Sequence, residues 1–193
     1  KAYVVKASVY AAEGKYNKAL VAINRALSID SSLASAYYER GRIYHLKGDK
    51  QLALSSYNQA IDYNPEYIST YNNRGALLRE MGDYEGALGD LNYILLIDEN
   101  NAKALQNRGN VHYFLRDYDA AVDDFSKSIK INPSRQQPYI NRGTAYMRMS
   151  KPREALVDYE LAMERGAINI YAQTNLGVIF NALKNYDKSI DAC

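Results

Sequence analysis

The chain has 193 residues, 47% of them hydrophobic and 24% charged, with a formal net charge of +2. That balance can bury a core and excludes wholesale disorder; no run reaches the roughly 18 apolar residues of a membrane helix, and so small a charge does not by itself make a surface for nucleic acid or acidic membranes. The one cysteine, Cys193, excludes an intrachain disulfide framework and permits a reducing compartment.

Lys1 stands where a start methionine would, so the sequence reads as an excerpt of a longer chain. Its opening, KAYVVKASVY, lacks the long apolar core of a secretory signal. The only Asn-x-Ser/Thr triplet, Asn132-Pro133-Ser134, is blocked for glycosylation by its proline. An intracellular, cytoplasmic home is expected, with a cytoskeletal or ciliary assembly as a further setting.

Gly41, Gly75, Gly109, Gly143 and Gly177 lie 34 residues apart. A period of this length marks stacked supersecondary units. Taking each glycine as position 8 divides the chain into 1–33, 34–67, 68–101, 102–135, 136–169 and a truncated 170–193, expected to form one solenoid.

The first unit carries Tyr3 and Tyr10 on its predicted first helix, with Ala7 in place of glycine, and Ala19, Leu20 and Ile23 on its second. In the second unit Tyr37, Gly41 and Tyr44 precede a Gly48-Asp49 turn, Ala53, Leu54 and Tyr57 follow, and Asn64-Pro65 closes it. The third repeats this with Tyr71, Gly75 and Leu78, the turn Gly82-Asp83, and Ala87, Leu88 and Leu91, but has Glu99 at the closing proline's position. The fourth has Leu105, Gly109 and His112, then Arg116-Asp117, Ala121, Val122 and Phe125, and Asn132-Pro133. The fifth has Tyr139, Gly143 and Tyr146, Pro152 in the first turn of its second helix, Ala155, Leu156 and Tyr159, and Ala167 in place of the closing proline. In the sixth, Gly177, Phe180, Ser189 and Ile190 continue the columns, and the chain stops midway through the second helix. An apolar face is then unfinished, and the natural protein is expected to continue beyond Cys193.

The columns have physical reasons. Small residues at positions 8 and 20 let two helix axes approach closely. Positions 21 and 24 share one helical face, and the aspartates of the turns are placed to cap the second helices. Arg74, Arg108 and Arg142 at position 7 accompany Asp90, Asp124 and Asp158 at position 23, whereas Lys6 and Leu176 accompany Ala22 and Ala192. An Arg–Asp ion pair within units three to five is therefore expected, with Arg40, opposite Ser56, the exception.

These columns resemble those of the tetratricopeptide repeat family: aromatic at 4, Gly at 8, aromatic at 11, Ala at 20, aromatic at 24, Ala at 27 and Pro at 32. The second unit matches throughout with Tyr37, Gly41, Tyr44, Ala53, Tyr57, Ala60 and Pro65. The resemblance implies an all-α, right-handed superhelical solenoid of antiparallel helix pairs that serves as a protein–protein interaction scaffold.

Catalytic chemistry is not expected. The histidines are only His45 and His112, no Cys/His spacing suits a metal, and Gly82, Gly86 and Gly89 lack dinucleotide-binding spacing. His112 falls in a core column and reads as a packed substitute for tyrosine. No metal, cofactor or nucleic-acid partner is expected; nine of the 19 tyrosines fall in the core columns at positions 4, 11 and 24 instead of on a base-stacking surface.

At about 100° per residue, columns 2, 5, 6, 9, 12 and 13 of the first helix point away from the core. In the family this side lines a concave groove. Column 6 reads Glu39, Asn73, Asn107, Asn141 and Asn175. Asparagine amides at constant rise can hydrogen-bond a peptide main chain without reading its side chains, and such a ladder resembles those of family members that grip peptide backbones. Arg42, Arg79, Lys103 and Arg148 are expected to meet acidic groups, and Tyr38, Tyr113, Phe114, Ile140 and Tyr171 to anchor apolar ones. The family's carboxylate clamp is disfavoured because column 5 holds no lysine and Asn107 stands where that motif has arginine. Two other roles remain open at this point: a rigid element of a large assembly, or the substrate-recruiting arm of an enzyme.

Overall fold

The computed structural model describes residues 1–166, together with Thr174 and Gly177. Among these residues the chain forms ten helices: α1 (Ala2–Ala12), α2 (Tyr16–Ile29), α3 (Ala34–Lys47), α4 (Lys50–Tyr63), α5 (Ile68–Met81), α6 (Tyr84–Ile97), α7 (Ala102–Phe114), α8 (Tyr118–Ile131), α9 (Gln136–Arg148) and α10 (Pro152–Glu164). First helices start at Ala34, Ile68, Ala102 and Gln136, and second helices from Lys50 onward keep the same 34-residue interval. The helices lie in two compact units, Lys1–Ile94 and Leu95–Cys193, with the boundary in the last turn of α6. Helix pairs α1/α2 and α3/α4 pack in the first unit, and α7/α8 and α9/α10 in the second.

The turn inside each pair reverses at position 15, where the backbone is left-handed: φ is +71° at Gly14, +91° at Gly48 and +85° at Gly82. Arg116 and Ser150 adopt the same conformation with φ of 64° and 58°, although neither has glycine's freedom. The expected aspartate caps form at two sites, where Asp83 accepts from the Gly86 amide at 2.9 Å and Asp117 from the Ala120 amide at 3.2 Å. Asp49 departs from this. It makes no side-chain cap on α4, and its carboxylate lies 3.0 Å from the Lys47 ammonium.

Packing follows the repeated columns. Ala7, Ala19 and Ile23 share one buried cluster, Ala53, Tyr57 and Leu77 a second, and Tyr139, Ala155 and Tyr159 a third. At the position-8 glycines the tightest neighbour is not always the alanine at position 20. A Cβ on Gly109 would stand 2.7 Å from a Phe125 ring carbon, and the nearest atom to one on Gly75 would be Leu91 Cγ at 3.2 Å. The small residue at position 8 thus makes room for the large one at position 24.

The Arg–Asp pairs form in all three units. The guanidiniums of Arg74, Arg108 and Arg142 each donate twice to one carboxylate, with Nη2 distances of 2.7 Å to Asp90, 2.7 Å to Asp124 and 2.6 Å to Asp158. Arg40 donates to Ser56 at 3.1 Å and to Gln59, which explains how the second repeat dispenses with an aspartate. A third donor reaches back one repeat, from Arg74 to Asn58 at 2.7 Å and from Arg142 to Ser126 at 2.9 Å. These guanidiniums lie over the position-4 rings, with Cζ to centroid distances of 4.7 Å for Arg40 over Tyr37, 5.6 Å for Arg74 over Tyr71 and 5.9 Å for Arg142 over Tyr139. His112 is half-buried, with its Nε2 3.8 Å from Asp124, as a packed substitute in the aromatic column should be.

Candidate functional site

In the first unit α3, α4 and α5 bring polar side chains together around a small pocket of about 200 Å³, lined by Arg42, His45, Leu46, Tyr57, Asn73 and Ala76. Arg42 lies 3.2 Å from the buried carboxylate of Glu39, which also accepts from Ser8 at 3.1 Å. Asn73 donates to the Tyr38 hydroxyl at 3.0 Å. The Tyr57 hydroxyl is buried and has no hydrogen-bond partner. Burial pushes the phenols of Tyr57 and Tyr38 up, so both stay protonated near neutral pH. At the same end of these helices Glu80 lies 2.9 Å from His45 and 3.6 Å from Arg79.

In the second unit the corresponding faces of α7 and α9 carry a chain of amides. Asn141 donates to Asn110 at 2.8 Å and accepts from Gln137 at 2.8 Å. Arg148 donates to the Tyr113 hydroxyl at 3.1 Å, and the Tyr113 ring meets Phe114 edge-on at 5.8 Å. Asn107 is half-buried and not an unpaired amide; Lys103 is exposed. Asn175 and Tyr171 lie outside the described residues.

Two of the sequence-predicted residues, Arg42 and Asn73, thus meet in one pocket, and Arg148 and Tyr113 meet through a hydrogen bond. Others behave differently. Column 5 is not outward throughout: Asn72, Gln106 and Ile140 are buried, where a wheel drawn for one helix turns them to solvent. Ile140 therefore belongs to the core and is not an apolar anchor. Sequence reasoning also missed that column 6 is tied to column 9 of the preceding repeat, as in Glu39 with Ser8 and Asn141 with Asn110. The signal was a polar residue at column 9 wherever these bonds form. Tyr57 was read only as core, which its ring is; its hydroxyl gave no sequence signal.

The arrangement offers amide, phenol and guanidinium donors on helix faces, which suits recognition of carbonyl and carboxylate groups. Among the described residues no group of three His, Cys, Asp or Glu side chains is placed to hold a metal ion, and no helix is long and apolar enough to cross a membrane.

Residues 7–48 and 41–82 match one sequence model of the TPR repeat, and residues 102–135 match another of the tetratricopeptide repeat, so that together they span more than half of the chain. The chain belongs to the tetratricopeptide repeat family. As a tetratricopeptide repeat protein it is an interaction scaffold, and members of this family are generally non-catalytic. No curated protein matches it in sequence. Among solved structures it is similar to PilW, a type IV pilus biogenesis factor, with a TM-score of 0.88 and 18% identity over 98% of this chain and 88% of that one. A tetratricopeptide repeat protein from Parabacteroides merdae gives a TM-score of 0.80 and 24% identity over 97% and 72%. YrrB, a TPR protein with an unusual peptide-binding site, gives 0.68 and 23% over 89% of each chain. At these identities the likeness is one of fold.

Proposed function

We propose that this scaffold binds an extended segment of a partner protein along the outward faces of its first helices, with column-6 asparagines holding the segment's main chain. The observation that carries the reading is the pocket of the first unit, where Arg42 and Asn73, both singled out by column, line one cavity beside the unpartnered Tyr57 hydroxyl. Hydrogen-bond capacity supports it further. Asn141 uses one amide hydrogen on Asn110 and one lone pair on Gln137, which leaves one donor and one acceptor for a peptide. Asn73 and Asn107 extend the same column in the sequence, and Asn175 continues it.

Selectivity then comes from the flanks. Arg42, Arg79, Lys103 and Arg148 favour acidic segments, and Tyr38, Tyr113 and Phe114 supply apolar contact area. A net hydrogen bond contributes roughly 0.5–1.5 kcal/mol, so a single Asn→Ala change at Asn107 or Asn141 is expected to weaken binding about two- to thirteenfold. The asparagine effect is expected to depend little on salt. Loss of Lys103 or Arg148 is expected to matter for acidic segments only and to fade at high ionic strength.

The test is titration of the 193-residue chain with short random-sequence peptides, followed through the asparagine side-chain NMR signals, with circular dichroism to check that variants stay folded. Saturable shifts that weaken in the Asn107→Ala, Asn141→Ala double variant support the reading. Wild-type affinity in that folded variant sinks it. An absence of peptide binding altogether leaves the rival role, a rigid element held by other surfaces in a large assembly.

A further inference from the structure

We infer that the second unit carries a separate docking site, a vacated tyrosine position over Arg108 that accepts a tyrosine side chain from an acidic segment of a partner protein. The internal repeats supply the template. In the second unit of the sequence the position-4 ring of Tyr37 lies under Arg40, stacks on Tyr63 at 5.1 Å, and donates its hydroxyl to the Ser31 carbonyl at 2.9 Å. In the fifth, Arg142 and Arg165 both lie over Tyr139, the latter at 4.6 Å, and the Tyr139 hydroxyl donates to the Pro133 carbonyl at 3.3 Å. Each ring has the same walls: the position-7 guanidinium, the position-30 side chain and the position-32 carbonyl of the preceding repeat.

The fourth repeat keeps those walls and omits the ring. Position 4 is Leu105, which is buried and reaches less far, position 7 is Arg108, position 30 is Ile131, and position 32 of the preceding repeat is Glu99. These four residues, with Leu95 and the exposed Lys127 and Lys130, line a groove of about 540 Å³. Its size is that of a ligand site. Arg108 spends its edge on Asp124, as Arg142 does on Asp158, so the bonds of its edge resemble those of an arginine that already carries a ring on its face.

Two rim lysines, Lys127 and Lys130, against the one lining carboxylate, Glu99, favour acidic flanks on the incoming segment. Among the described residues Lys127 pairs with the exposed Asp123 at 2.7 Å, an association easily exchanged for another carboxylate, and Lys130 stands at the same rim. This flank of α7 is not the one that carries Asn107, so the site is independent of the peptide-binding reading above.

The experiment uses the full chain with methyl-labelled leucine and isoleucine, titrated with the peptide acetyl-Glu-Glu-Tyr-Glu-Glu-amide and with its counterpart carrying alanine for tyrosine. Saturable shifts of the Leu105 and Ile131 methyls are expected with the tyrosine peptide, and at least about fivefold weaker binding with the alanine peptide. Leu105→Tyr, which restores the ring present in other repeats, is expected to fold and to abolish the Ile131 response. Binding by folded Leu105→Tyr at wild-type affinity overturns the proposal, as does equal binding of both peptides or no response of these methyls. Self-association that Leu105→Tyr abolishes also overturns it, because a second copy of the chain is then the occupant. Should Leu105→Tyr not fold, Lys130→Glu decides: its side chain is exposed, weaker tyrosine-peptide binding upholds the site, and unchanged affinity overturns it.

Discussion

Replacing Arg142 with alanine is expected to cost the fold about 3–5 kcal/mol near neutral pH, the usual penalty for leaving a buried charge without its partner. Asp158 is 1% exposed, and both of its carboxylate oxygens accept from this one guanidinium. Burial holds the Asp158 carboxyl above its ordinary value of 3.8, while the Arg142 hydrogen bonds and charge pull it back down. A carboxyl raised in the folded state binds its proton more tightly folded than unfolded. Its contribution to stability therefore falls as pH rises from the ordinary value through the raised one, and is constant above. Removing Arg142 leaves burial unopposed and widens that window upward. Urea melts of Arg142→Ala should accordingly show a loss that shrinks as pH is lowered into the carboxylate range, whereas the Arg142→Met, Asp158→Leu double variant should lose far less at every pH. A small, pH-independent loss in Arg142→Ala would show that the pair is not the desolvated tie its geometry describes.

Gly109→Leu is the second change with a large expected effect. The added Cβ alone would stand 2.7 Å from the Phe125 ring, which is 1% exposed and cannot swing aside. Overpacking of this kind costs ~1–3 kcal/mol, and more if α7 and α8 must separate. Gly75 and Gly143, at the same position of their repeats, give the contrast, whereas Gly41 is as tight against the Tyr57 ring. At Gly75 the nearest atom would be a leucine carbon at 3.2 Å, and at Gly143 a backbone oxygen at 3.3 Å. Alanine there gains about 0.8–1.0 kcal/mol of helix propensity against a contact that a few tenths of an ångström relieve. Gly75→Ala and Gly143→Ala are thus expected to melt near the wild type, and Gly109→Ala and Gly109→Leu progressively below it. An unchanged melt for Gly109→Leu would defeat the packing argument.

Much of this was legible because a repeat reads the same environment several times over. A 34-residue interval of glycines anticipates first helices that begin at Ala34, Ile68, Ala102 and Gln136, and the company Arg74, Arg108 and Arg142 keep with aspartates anticipates three ion pairs. What one repeat cannot report is its neighbour. Asn72, Gln106 and Ile140 lie where a single-helix wheel turns side chains to solvent, yet all three are buried. Asn141 was selected as a polar outward residue, but its bonds to Asn110 and Gln137 depend on side-chain reach across α7 and α9. The left-handed turns at Arg116 and Ser150 were hidden for a simpler reason: glycine marks that conformation in sequence, and these two positions adopt it without one.

The third donor of the position-7 arginines has a consequence for how stability is shared. Arg142 binds its own repeat through Asp158 and the preceding repeat through Ser126, and Arg74 does the same through Asp90 and Asn58. One guanidinium therefore contributes both to the intrinsic free energy of a repeat and to the coupling between neighbours, quantities that linear arrays usually assign to different side chains. A repeat that frays releases a bond belonging to the next, so the cost of opening spreads beyond the site where it begins. Cooperativity in such a chain is carried by a polar contact that recurs with the repeat and needs no long-range contact between distant parts of the sequence.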